Sequence, residues 1–73
     1  MKTRKVHAGS YEYTAGGLTV EVFSIPGNAA YGDPERMWVA RAMWDRHMYS
    51  DPLNTKRRAV DAARAMLNEK MSG

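Results

Sequence analysis

The sequence predicts an α+β domain: an antiparallel sheet of three or four strands, with one C-terminal helix packed across one face. Three observations point there. Two β-rich runs flank Gly16-Gly17, a pair suited to a two-residue hairpin turn that needs positive φ. Residues 37–43, "MWVARAM", alternate in the manner of a strand. Residues 59–71 then place apolar side chains at helical spacing.

Taken in order, residues 1–5 are polar and basic and read as a loose arm. "SYEYTAGGLTVEVFSI" follows as a hairpin. Its turn sets Ala15 opposite Leu18, Tyr13 opposite Val20 and Tyr11 opposite Val22, all on one face. The other face sets Thr14 against Thr19 and Glu12 against Glu21. Like charges directly opposite are destabilising, so a neighbouring strand carrying Arg41 is expected to relieve them. Residues 26–36, "PGNAAYGDPER", are rich in turn formers and read as a loop with Tyr31 near its middle.

Residues 37–49 allow two readings. Asp33-Pro34-Glu35 has the form of a helix start, which gives a β-hairpin followed by two helices. On a helical wheel, however, Arg41, Asp45, Arg46 and His47 scatter around every side. As a strand, Trp38, Ala40, Ala42 and Trp44 share one face, while Met37, Val39, Arg41 and Met43 share the other. The favoured reading is a third strand at 37–43, a turn at 44–47 and a short fourth strand at 48–50. The C-terminal helix then starts with Asn54 or Thr55 as N-cap. Ala59, Val60, Ala63, Met66, Leu67 and Met71 form its apolar face. Arg57, Asp61, Arg64 and Asn68 form the opposite one, with Arg57 and Asp61 spaced to pair at i, i+4.

Seventy-three residues make a single domain with a small core. There is no cysteine, hence no disulfide and no thiolate metal site, which fits the cytoplasm. Stabilising help must come from packing or from a partner, so a homodimer is an open expectation. The basic start has no apolar segment after it, so no secretory leader is expected. No apolar run approaches the length of a membrane span.

The residues do not favour an enzyme. His7 and His47 stand alone, without metal-ligand spacing. Ser10, Ser24, Ser50 and Ser72 lack a nucleophile-elbow context. Gly16-Gly17 precedes a strand rather than a helix, so it is no phosphate cradle. Glu12 and Glu21 form a carboxylate pair, but on an open sheet face without a cleft to shift their ionisation. No catalytic residue, metal or cofactor is expected.

The charge is more informative. Eleven Lys and Arg stand against eight Asp and Glu, for a net +3. Lys56, Arg57 and Arg58 occupy the first helical turn, where the helix dipole disfavours cations. A locally unfavourable choice marks a candidate functional site. A docked anion supplies the missing gain, because backbone N–H groups, dipole and side chains then act together. Arg64 extends this surface, with Arg46 or Lys5 assisting. The plainer alternative is a solubilising charge run in which Arg57 pairs with Asp61. Trp44 lies in or beside a turn, and Tyr31 and Tyr49 lie near loops. All three are candidates for a protein interface.

"TKRRAVDAARAML" resembles the last helix of double-stranded RNA-binding domains, with its small residue, lysine-rich turn and double alanine. That resemblance implies phosphate contacts at Lys56, Arg57 and Arg58, with Ala62-Ala63 packing the helix. The strand, tryptophan and "TKxxA" layout is also similar to the arm-type DNA-binding domains of phage integrases, and the scale to small anti-CRISPR proteins. The function expected is a non-enzymatic module of phage or mobile-element type that docks on nucleic acid or a nucleoprotein complex. The alternative is a protein-binding inhibitor or adaptor that uses Tyr31, Trp44, Tyr49 and the 26–36 loop.

Overall fold

The computed structural model describes residues 2–72. Four antiparallel strands lie in sequence order, β1 (Lys2–His7), β2 (Ser10–Ala15), β3 (Leu18–Pro26) and β4 (Arg36–Ala42). One helix, α1 (Lys56–Ser72), crosses β3 and β4.

The β2–β3 hairpin turns on Gly16 and Gly17, both with positive φ (56° and 78°). A primed two-residue turn requires this, and only glycine adopts it without strain at both positions. The register follows: Ala15 pairs with Leu18, Tyr13 with Val20 and Tyr11 with Val22. Strand β4 adds Ala42 beside Val20 and Ala40 beside Val22. These side chains share one face, and Ala59, Ala63 and Leu67 of α1 close it into a dry cluster. The alanines on both sides let helix and sheet approach closely. Leu67, Val20 and Val22 are the largest fully buried side chains, each worth about 1.5–3 kcal/mol of burial.

Across the open face runs a row of charges. Arg4 pairs with Glu12, Glu12 with Glu21, and Glu21 with Arg41. The Arg41 guanidinium donates to Glu21 at 2.8 Å and lies 5.7 Å from the centre of the Phe23 ring. The expected relief of the Glu12–Glu21 repulsion is therefore present on the β4 side. A looser Arg4–Glu12 contact of 3.9 Å adds to it on the β1 side.

The strand reading of residues 37–43 holds to within one residue, and a hairpin followed by two helices does not form. Two expectations need correction. Residues 2–5 of the expected loose arm belong to strand β1, whose six residues are all exposed; Met1 lies outside the described residues. The short strand expected at 48–50 is a single bridge, Arg41 to Tyr49, followed by another from Trp38 to Leu53. Backbone bonds Ala42 N to Met48 O (2.9 Å), Ser50 N to Ala40 O (2.8 Å) and the reciprocal Trp38–Leu53 pair hold this segment irregularly along β4. The fourth strand thus comes from the opposite end of the chain.

Thr55 rather than Asn54 caps helix α1. The Thr55 hydroxyl accepts from Arg58 N at 3.2 Å, and its carbonyl accepts from Ala59 N. Among the described residues no helix is long and apolar enough to cross a membrane.

Leu67→Ala should lower unfolding stability by about 2–5 kcal/mol, read from urea midpoints. Met71→Ala, at a half-exposed site, should change it by less than about 0.5 kcal/mol. Equal effects would show that α1 does not seal the core through Leu67.

Candidate anion-binding surface

The three cations of the first helical turn point three ways, because successive helical residues turn by about 100°. Lys56 turns inward. Its ammonium sits over the Tyr11 ring, 3.3 Å from the centroid. Such a contact contributes roughly 0.5–1 kcal/mol at a partly exposed site, against a dipole cost of a few tenths to 1 kcal/mol. The contact offsets the cost without any bound anion. For Lys56, the oddity noted in the sequence has a local structural explanation.

Arg57 and Arg58 are exposed and lie on opposite flanks. Two contacts orient the helix. Met71 reaches the Gly16 turn, and Met66 shares a shallow depression of about 260 Å³ with Met48, Glu69 and Lys70. The flank of Arg57, Val60 and Arg64 therefore faces β2 and β1. The flank of Arg58, Ala62 and Met66 faces the segment after β4.

Strand β1 brings further charge to the first flank. Lys5 pairs opposite Tyr11, so the two side chains share the helix-bearing face. Lys5 and Lys56 thus meet at Tyr11 from two distant parts of the chain, and Arg57 and Arg64 lie on the helix flank that turns to the same side. Asp61 lies on the same helical stripe as Arg57 and Arg64. The expected Arg57–Asp61 ion pair does not form among the described residues, nor does one from Asp61 to Arg64. The backbone N–H groups of Lys56 and Arg57 also find no acceptor there, while that of Arg58 is taken by Thr55.

Arg46 does not join this surface. It lies in the turn after β4, at the end of the sheet where Met48 meets the later half of α1. Arg58 stands apart on the other flank.

The aromatic candidates differ among themselves. Trp44 packs against the core cluster and is half-buried. Tyr49 is 64% exposed and Tyr31 is 82% exposed. Tyr31 sits on a well-tied loop. Its one 3-10 turn, Ala29–Tyr31, is capped by the Asn28 side chain, which accepts from Ala30 N at 2.9 Å. Asp33 accepts from Asn28 N at 3.1 Å. The loop closes where Gly27 N donates to Glu35 O at 2.9 Å, and a Cβ at Gly27 would collide with the Pro34 carbonyl.

A shallow hollow of about 520 Å³ is lined by Ser24, Ile25, Pro26, Glu35 and Arg36. No group of three or more metal-ligating side chains gathers among the described residues.

Sequence reasoning missed strand β1 and the Lys56–Tyr11 contact. A signal for β1 is Gly9 ahead of a β-rich run, a turn former that takes φ 79° between the two strands. No family model matches the chain, and no curated protein or solved structure matches it either.

A double-mutant cycle of Lys56→Gln and Tyr11→Leu should give a coupling of roughly 0.5–1 kcal/mol in denaturant unfolding. The same cycle with Arg57→Gln should give none. Zero coupling for Lys56 would remove the ring contact as the reason a cation stands in that turn.

Proposed function

We propose that this protein is a non-enzymatic binding module that docks on the phosphate backbone of a nucleic acid. The surface used is the flank of Lys5, Arg57 and Arg64, beside the Lys56 ammonium that rests on Tyr11. The observation that carries this is the convergence of cations from β1 and α1 on one side of the molecule, with Arg57 and Arg64 left without ion pairs among the described residues. Cations held this way bind phosphates by releasing condensed counterions. A cytoplasmic setting and a mobile-element role belong to the same proposal and rest on composition and resemblance.

The test is a titration against short duplex DNA, duplex RNA and single strands over a range of salt. Affinity should fall with salt by about one log–log unit per phosphate contact. Arg57→Ala with Arg64→Ala should weaken binding to every sequence alike and flatten that slope by about two units. Arg46→Ala and Arg58→Ala, away from this flank, should leave both nearly unchanged. A salt-independent affinity, or equal losses at Arg46, would defeat the proposal.

A second reading, a protein-binding inhibitor or adaptor, is favoured by Tyr31, an aromatic side chain displayed on a loop tied at both ends. Under it Tyr31→Ala weakens partner capture by more than about 1 kcal/mol, and the double arginine variant does not.

A further inference from the structure

The two edges of the sheet are not alike. The outer side of β4 is occupied by residues 48–53, through the Arg41–Tyr49 and Trp38–Leu53 bridges. The outer side of β1 pairs with no other segment among the described residues. All six of its residues are exposed, and alternate ones turn their backbone N–H and C=O groups outward, with a register irregularity between Lys5 and His7. Such an edge is a template for an added strand unless its side chains select against one.

The side chains on this edge choose the partner. Lys2, Arg4 and Lys5 are cationic, and β1 contains no acid. A second copy pairing through the same edge would bring like charges face to face, which is destabilising. The row across the open face reads Arg4, Glu12, Glu21, Arg41 from the edge inward. A carboxylate placed outside Arg4 continues that row with a favourable neighbour. Arg4 is free to take it: its side chain is 77% exposed and its contact with Glu12 is a loose 3.9 Å.

We infer that the outer edge of β1 receives an acidic, extended segment of a partner protein by strand addition, with a carboxylate set opposite Arg4. Backbone bonds to β1 supply the pairing. Lys2 and Arg4 read acids on one face of the added strand, and Lys5 reads the other face. This surface shares only Lys5 with the phosphate flank, since Arg4 and Lys2 lie on the open face of the sheet, and it stands whether or not that flank binds phosphate.

The experiment uses the full chain, isotope-labelled, titrated with a seven-residue peptide of alternating Thr and Glu while backbone amide shifts are followed. Saturable shifts should concentrate on residues 2–7 and their β2 partners. Methylating one alternate set of peptide amides should abolish binding, and methylating the other set should leave it intact. That asymmetry is the mark of an added strand, since alternate residues turn their N–H groups to opposite sides. Arg4→Glu should weaken the Thr/Glu peptide at least tenfold and bind a Thr/Lys peptide more tightly than the parent does. The inference is overturned if the two methylated peptides behave alike, if shifts lie away from β1, or if no shift saturates. It is overturned as well if β1 shifts with protein concentration alone, which means self-pairing. It likewise fails if β1 responds to an oligonucleotide and not to the peptide. Arg57→Ala with Arg64→Ala should leave the peptide's affinity unchanged, which separates this outcome from failure of the phosphate reading.

Discussion

The positive-φ glycines at the tip of the β2–β3 hairpin hold a register in which Tyr13 faces Val20 and Tyr11 faces Val22, and the rest of the molecule depends on that register. Side chains alternate along a strand, so a slip of one residue would send this whole set to the other face. The core would then lose Val20 and Val22, two of its three largest fully buried side chains. Helix α1 would meet Thr19 and Glu21 instead. Strand β4 reads the same register from the other side, since its alanines at 40 and 42 fall beside those valines and leave room for the helix.

The same register brings two carboxylates together on the open face and then neutralises them. Glu12 and Glu21 oppose each other, but Arg41 and Arg4 flank the pair from the neighbouring strands. The strong member is Arg41, with its 2.8 Å bond; the Arg4 contact is weak and exposed. Central charges are thus spent on the sheet, while the charges at its β1 edge remain available. Lys56 is similarly spent on Tyr11. The cations left for a ligand are fewer than a simple count implies, and they are better grouped.

Much of the fold was legible in the sequence. The hairpin register follows from its turn chemistry, the helix from 3.6-residue periodicity, and the strand at 37–43 from the failure of a helical wheel. Strand β1 was hidden for a physical reason. A strand exposed on both faces has no need to alternate apolar and polar residues, and "KTRKVH" shows no such pattern. The candidate surface was half legible. The sequence groups Lys56, Arg57, Arg58 and Arg64 as one basic surface, with Arg46 or Lys5 assisting. Helical rotation divides the cluster, and Lys5 becomes part of it only because β1 pairs with β2.

The sequence by itself determined the local elements: a glycine-glycine hairpin, an amphipathic helix capped at Asn54 or Thr55, and a turn-rich loop around Tyr31. These depend on dihedral preference and periodicity, which neighbouring residues carry. Only the tertiary structure decided that the N-terminal segment completes the sheet and that Lys56 covers Tyr11. It alone set Lys5 beside the Arg57–Arg64 flank and sent Arg46 to the far end. Those outcomes depend on distant backbone partners finding each other, and long-range pairing leaves little trace in the order of residues along the chain.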